Sequence, residues 1–154
     1  MTIPVIHGDI WKYHKDGYYI VVPTNGYVKA NGECVMGRGL ALQAKTKFVD
    51  LPKLLGTLIR THTNQVYAFP SFRIFTFPVK HNWYEQANLY LIEKSCTELM
   101  HYTEPLLVTY IPGIKLPIYL PKVGCGNGKL DWDVVGTVID NCLPADKFVV
   151  CDYK

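Results

Sequence analysis

Apolar residues along the chain fall into short runs and into longer stretches of helical period, and the two kinds alternate. Tyr18-Tyr19-Ile20-Val21-Val22 is rich in β-branched and aromatic side chains and is stopped by Pro23, which predicts a buried strand. The segment Thr24 to Val35 carries Gly26, Asn31 and Gly32, so an irregular loop with a turn at Asn31-Gly32 is expected. Leu40, Ala44, Lys47 and Phe48 recur at helical spacing from Gly39, and Pro52 opens a second short helix through about Ile59. Val66 to Phe69 and Arg73 to Phe77 predict two strands joined through Pro70-Ser71, the second ended by Pro78. From Tyr84 to about Tyr102 the apolar positions Leu89, Ile92, Cys96, Leu99 and Met100 step by three and four, the mark of an amphipathic helix. Ile118-Tyr119-Leu120 reads as a short strand, Val134 to Cys142 as a helix, and Phe148 to Cys151 as a last strand.

Strands alternating with helices predict an α/β domain whose helices cover both faces of a mostly parallel sheet. Ligands in such sheets sit at the carboxyl ends of the strands, so the strand-to-helix loops should hold the informative residues.

Composition narrows the reading. At 154 residues and 49% apolar, the chain is sized for one domain with a substantial core. No apolar run approaches the roughly 18 residues of a membrane span, and no targeting segment or repeat is evident, so a cytoplasmic protein without membrane attachment is expected. The five cysteines are odd in number and widely spaced, which argues against a disulfide framework and fits a reducing compartment. They form no Cys-x-x-Cys pair and the five histidines no His-x-x-x-His pair, so no metal is expected. The net charge of +3 is spread rather than blocked; it suits an anionic ligand without singling out nucleic acid.

Two glycine-rich loops carry the candidate chemistry. Val123-Gly124-Cys125-Gly126-Asn127-Gly128-Lys129 lies between a strand and a helix, with glycine at every second position. That spacing lets several backbone N–H groups turn toward one point, as a diphosphate requires, although a purely connecting turn has the same composition. It is neither the Gly-x-Gly-x-x-Gly of dinucleotide folds nor a Gly-Lys-Ser/Thr phosphate loop. Met36-Gly37-Arg38-Gly39 likewise leads into a helix, and Arg38 either reaches a phosphate or stays solvated. Asp131 reads as a helix N-cap, with Asp133 as a first-turn acid. Two such loops in one small domain favour a ligand clamped from both sides.

These loops resemble those of the macrodomain family when taken with His7-Gly8-Asp9-Ile10, Asn25, Val35-Met36-Gly37-Arg38-Gly39-Leu40-Ala41, Phe77-Pro78-Val79-Lys80 and Gly124 through Asp131-Trp132. The resemblance spans nearly the whole chain and is nearest to the branch of DarG and the terminal ADP-ribose glycohydrolase. It implies a single macrodomain over residues 1–154, a three-layer α-β-α fold with a mixed, mostly parallel central sheet. It implies an ADP-ribose ligand: Asp9 on the adenine amino group with the Ile10 backbone nearby, Asn25 near the distal ribose, and Tyr153 against adenine. The Met36 to Gly39 and Val123 to Lys129 segments would hold the diphosphate.

Lys80 would act at the anomeric carbon of the distal ribose; without the resemblance it reads as a strand-end surface lysine. A lysine whose pKa is lowered by partial burial can attack such a carbon or assist the leaving group.

Two departures from the family pattern bear on the substrate. Gly128 stands where the protein glycohydrolase has an aspartate that DarG-like members also lack, which tilts the expectation toward a nucleobase-linked substrate. Pro23-Thr24-Asn25-Gly26 replaces the common Asn-Ala-Ala-Asn, and the following loop is longer. The C-terminal module that accompanies the DarG macrodomain has no counterpart in the 154 residues, and no obligate protein partner is evident. The resemblance thus implies a hydrolase that removes ADP-ribose from modified DNA or protein without a bound cofactor. Two alternatives stay open: an ADP-ribose 1″-phosphate phosphatase using His81 or Asp131, and a reader that binds ADP-ribose without turnover.

Overall fold

The computed structural model describes residues 2–153. Among them the elements run β1 (Val5–His7), α1 (Ile10–Lys15), β2 (Ile20–Asn25), α2 (Gly39–Lys47), α3 (Leu51–His62), β3 (Tyr67–Phe69), β4 (Ile74–Lys80), α4 (Leu89–His101), β5 (Ile118–Leu120), α5 (Trp132–Cys142) and β6 (Phe148–Asp152). The strands form one sheet in the order β1-β6-β5-β2-β4-β3. Every neighbouring pair is parallel except β3 with β4. This is the expected mixed, mostly parallel sheet.

Side chains of period two sort the strands between two cores, as a sheet buried on both faces requires. Val21 of β2, Phe75, Phe77 and Val79 of β4, Ile118 and Leu120 of β5, and Phe148 and Val150 of β6 pack with Ile92, Cys96 and Leu99 of α4 and Val135 and Ile139 of α5. Their neighbours Ile20, Val22, Ile74, Tyr119 and Cys151 face the other way, onto Ile10 of α1, Ala44 of α2 and Leu51 and Leu55 of α3. The result is three layers, α4 and α5 over one face and α1, α2 and α3 over the other. Each fully buried large side chain, such as Phe75 or Phe148, contributes about 1.5–3 kcal/mol.

Both prolines expected to end strands lie inside them. Pro23 sits in β2 and Pro78 in β4. Ile20 N–H donates toward β4 (to Arg73 O), so alternation turns the N of Pro23 toward β5. The only ladder pair between β2 and β5 is Ile20 with Tyr119, so the missing N–H at Pro23 breaks no bond. Pro78 falls beyond the last β3–β4 pair, Tyr67 with Thr76, for the same effect. The helix expected from Tyr84 begins only at Leu89, because Asn88 caps it by accepting from Leu91 N–H at 3.0 Å. Residues 82 to 85 close a turn of their own, Asn82 N–H donating to the Glu85 carboxylate at 2.8 Å. The α3 helix also runs further than expected, to His62.

The Gly26 to Val35 segment is not a free loop. A bridge between Val28 and Cys34 folds it on itself around Gly32, whose φ is +88°. It is then fastened to α3 by Lys53 Nζ donating to Asn31 O (2.6 Å), Arg60 donating to Lys29 O (2.8 Å) and Cys34 N–H donating to Pro52 O (2.9 Å). Gly56 of α3 lies directly against the Gly32 carbonyl, leaving no room for a Cβ. No described helix is long and apolar enough to cross a membrane.

Gly56→Ala should therefore destabilise the protein by about 1–3 kcal/mol, because backbone on both sides must move. Chemical denaturation of the variant checks this; an unchanged midpoint would refute the close packing of α3 on the loop.

Candidate functional site

A cleft of about 1340 Å³ opens at the carboxyl ends of β2, β4 and β6 and just past the end of β5. It exists because β2 and β5 have no ladder pair beyond Tyr119, so the segments that follow them diverge and leave a crevice between them. Thr24 and Asn25 line it from β2, Val79 and Lys80 from β4, Pro121 and Lys122 from the segment after β5, and Cys151 and Asp152 from β6.

The two glycine loops face each other across this cleft. Gly39, with φ +56°, comes so near Asn127 that a Cβ on it would stand 3.2 Å from the Asn127 amide nitrogen. Arg38 is the N-cap of α2 but makes no side-chain capping bond. The N–H groups of Gly37 to Ala41 accordingly find no protein acceptor among the described residues, as expected of an uncapped helix start. In the second loop Cys125, Lys129 and Leu130 donate within the loop, whereas the N–H groups of Gly126, Asn127 and Gly128 have no protein acceptor among the described residues. Two sets of unpaired backbone donors thus line one cavity, the arrangement that attracts an anion.

The glycines differ in why they are glycine. A Cβ on Gly37 or Gly126 would meet nothing within 4 Å. A Cβ on Gly124, whose φ is +75°, would stand 2.7 Å from Ile92 Cδ1, and one on Gly128 would strike the Gly124 carbonyl and stand 2.7 Å from Ala87 Cβ. Gly128 is therefore closed to any side chain here, including the aspartate of the protein glycohydrolase pattern. Ala87 N–H donates to Gly128 O at 3.0 Å and Asn88 N–H to Val79 O at 2.8 Å, so the glycine loop is tied through residues 87 and 88 to the end of β4.

Lys80 ends β4 at that junction. It is half-buried, and its Nζ donates to Trp83 O (3.4 Å) and Asn127 O (3.3 Å). Burial, with the charges of Arg38 and Lys129 adding to it, holds its pKa below the ordinary lysine value. A lysine so placed can be neutral, and thus nucleophilic or basic, more readily than a solvated one.

Asp9, Ile10, Asn25, Met36, Gly37, Arg38, Gly39, Lys80, Gly124, Gly126, Asn127, Gly128 and Tyr153 all line the cleft. Val123, Cys125 and Lys129 do not: Val123 is fully buried in the core, the Cys125 thiol turns back to Val123 O (3.4 Å), and Lys129 is exposed at φ +64°. Asn25 has a structural duty as well, its amide donating to Val35 O (2.9 Å) and accepting from Tyr27 N–H (2.9 Å), which sets the first turn of the wall that follows. Asp9 likewise caps α1, accepting from Trp11 N–H at 3.0 Å. Asp131 caps α5 through Asp133 N–H at 3.0 Å, and neither it nor His81 lines the cleft.

Sequence reasoning did not single out Trp11, Tyr27, Trp83, Lys122 or Asp152, which also line the cleft. Lys122 reaches the Asp152 carboxylate at 3.1 Å, joining the second loop to β6. Large aromatics two or three residues after Asp9, Asn25 and Lys80 were the available signal. Among the described residues no group of three or more His, Cys, Asp or Glu is placed to hold a metal ion.

No protein-family model matches the chain. A DNA ADP-ribosyl glycohydrolase of Thermus aquaticus is 30% identical over 121 residues, 72% of this chain and 31% of that protein. The chain thus spans about a third of the length of the curated relative it matches. Among solved structures, the macrodomain of Thermus aquaticus DarG superposes with a TM-score of 0.74 at 27% identity, covering 99% of this chain and 98% of that one. The macrodomain of Mycobacterium tuberculosis DarG gives 0.77 at 23% identity, covering 97% of each. Thermosipho africanus DarTG, solved in complex with ADP-ribose, gives 0.73 at 22% identity over 99% of this chain and 42% of that one. Sheet order, layers and facing glycine loops, together with these likenesses, define the chain as a protein of the macrodomain fold. Within that fold it falls with the DarG-like branch.

Substitution should separate the two kinds of glycine. Gly37→Ala and Gly126→Ala should unfold within a degree or two of the parent protein, whereas Gly124→Ala and Gly128→Asp should each lose about 1–3 kcal/mol of stability. Thermal unfolding of the four variants reads this directly, and a stable Gly128→Asp would show that the loop can repack around a side chain.

Proposed function

We propose that this chain binds ADP-ribose in the cleft and hydrolyses the C1″ linkage that joins the distal ribose to a modified nucleobase or protein side chain. The observation that carries the proposal is the position of Lys80, with its lowered pKa, at the meeting point of two loops of unpaired N–H groups. The loops bind the diphosphate, helped by Arg38 and by the N-terminus of α2. Asp9, the backbone at Ile10, and Tyr153 receive the adenosine, and Asn25 stands at the distal ribose. The likeness to DarG macrodomains, one of them in a protein solved with ADP-ribose, supports the same ligand.

In the reaction, neutral Lys80 attacks C1″ while the bond to the leaving group breaks, the electron pair departing with the nucleobase or side chain. The proton released from the new C1″–N bond neutralises that leaving group. Water then attacks C1″, Lys80 departs as the amine, and free ADP-ribose results. Every step uses only substrate, Lys80 and water, so no cofactor is required. The phosphatase alternative has no support in the cleft, since His81 lies outside it and Asp131 is engaged as a cap. A reader without turnover would use Lys80 only to hold the surrounding backbone, through Trp83 O and Asn127 O.

Lys80→Ala should reduce release of ADP-ribose from a modified oligonucleotide or peptide by at least about 100-fold, with ADP-ribose affinity unchanged within about twofold. Chromatography of the products and calorimetry check the two halves; normal turnover by the variant would remove Lys80 from the mechanism, and wild-type binding without release from any linkage would leave a reader. Because the uncharged amine reacts, single-turnover rates should rise with pH and level off below the ordinary lysine range. Arg38→Gln, which removes a neighbouring positive charge, should move that inflection to higher pH. Gly126→Ala places a methyl group in the cleft and should weaken ADP-ribose binding about tenfold by calorimetry.

A further inference from the structure

Strand β4 runs past its last pair with β3, Tyr67 with Thr76, so Pro78, Val79 and Lys80 extend beyond that pairing. The register with β2 also jumps there: Thr24 pairs with Pro78 but Asn25 with Lys80, which leaves Val79 as an extra residue. Other groups meet the carbonyls of this strand end. Ser95 Oγ donates to Pro78 O at 2.7 Å, Asn88 N–H to Val79 O at 2.8 Å, and Asn64 Nδ2 to Lys80 O at 3.1 Å. Gly26 N–H, just after β2, donates to His81 O at 3.1 Å. Ser95 and Asn88 belong to α4 and its cap, whereas Asn64 comes from the connection between α3 and β3.

Asn64 is half-buried and firmly held. Thr63 before it has φ +86°, a backbone that a β-branched residue adopts only where its surroundings impose it. Those surroundings are Ile59 O, which accepts from Thr63 N–H at 2.9 Å, and the Tyr67 hydroxyl, which donates to Thr63 O at 2.6 Å. The Asn64 side chain also packs on Gly26, where a Cβ would stand 2.7 Å from both its Cγ and its Nδ2. Neither Asn64 nor Gly26 lines the cleft. The Lys80 ammonium is itself weakly held, by two carbonyls at 3.3 and 3.4 Å, so its place depends on the main chain that carries it.

We infer that Asn64 is a positioning residue for the hydrolysis, holding the Lys80 main chain so that the amine meets C1″ while Asn64 itself touches no part of the ligand. The inference rests on the role proposed above for Lys80. Misplacing a reacting group by about 1 Å can cost about 100-fold in rate, and binding made elsewhere in a cleft is kept. Loss of the Asn64 bond should therefore act on turnover rather than on affinity. It should also move the pH profile. Burial is the first cause of the lowered Lys80 pKa, so a released, better solvated Lys80 returns toward the ordinary lysine value and the rate levels off at higher pH. Arg38 and Lys129, the charges that act on Lys80, are unaltered by substitutions at Asn64.

Single-turnover hydrolysis of a saturating ADP-ribosylated oligonucleotide or peptide across pH, with ADP-ribose calorimetry, tests this on Asn64→Ala and Asn64→Leu. The first removes donor and bulk, the second the donor alone. Each should react about tenfold slower, with its inflection at higher pH, and bind ADP-ribose within about twofold of the parent protein. Gly26→Ala should give the same signature by pushing the Asn64 amide off Lys80 O. Combined with Asn64→Ala it should cost little more, since the two substitutions break one contact. A parent-like rate in the Asn64 variants, a slower reaction with an unmoved inflection, a matching loss of ADP-ribose affinity, or full additivity with Gly26→Ala each overturns the inference. If the Asn64 variants do not fold, Gly26→Ala decides by the same rate and inflection. Lys80→Ala, run alongside, separates the failures: its inactivity beside parent-like Asn64 variants overturns this inference alone. Normal turnover by Lys80→Ala, or no release by the wild type, overturns both readings.

Discussion

The parting of β2 from β5 is the constraint on which the site depends. These central strands share one ladder pair, Ile20 with Tyr119, and then separate. Their outer sides stay paired, β2 to β4 along its length and β5 to β6, and the one β2–β5 pair joins the two halves into a single sheet while a crevice opens beyond it. Parallel strands put all their carboxyl ends on one edge, and the connections that leave β2 and β5 must therefore rise on opposite sides of that crevice. Pro23 belongs to the same economy, since it occupies the one side of β2 where a donor would have no acceptor.

Around that opening the backbone does most of the recognition. Unpaired N–H groups come from an uncapped helix start on one side and from a glycine loop on the other, and both would be costly to bury without a partner. A ligand rich in oxygen atoms supplies the partners. Lys80 is placed by strand geometry and by two carbonyls rather than by a carboxylate, which leaves burial and neighbouring cations free to lower its pKa. An acid beside it would have stabilised the ammonium and weakened it as a nucleophile.

Much of this was legible in the chain. Ile118-Tyr119-Leu120 and the helix after Asp131 announced themselves because their apolar period is clean and their ends carry proline or a cap. Strand β1 and helix α1 were not read. Val5 and His7 are exposed at a sheet edge, and α1 has six residues of which only Ile10 is buried, so neither presents a period long enough to see. Both prolines misled because their effect depends on which side of a strand has a neighbour, a fact of tertiary pairing. The cleft residues at Gly37 to Gly39 and Gly124 to Gly128 were readable from glycine spacing, and Lys80 only through family likeness. Trp11, Tyr27 and Trp83 stand near Asp9, Asn25 and Lys80, but that nearness alone did not place them, because an aromatic residue in a short helix or a loop has the same local sequence whether it covers a core or borders a cavity. Gly124 and Gly126 look alike in sequence, and only the position of Ile92 tells the sealed one from the open one.

The fastening of the Gly26 to Val35 segment onto α3 has a consequence for how this cleft can vary. Tyr27 and Lys29 border the cavity, yet the height at which they stand is set from behind, by Lys53, Arg60 and the backbone contact at Gly56. None of those three residues borders the cavity. The bore of the cleft on that side is thus adjusted by a helix surface a layer away, and selection on substrate size can act there without altering a residue that a ligand would touch.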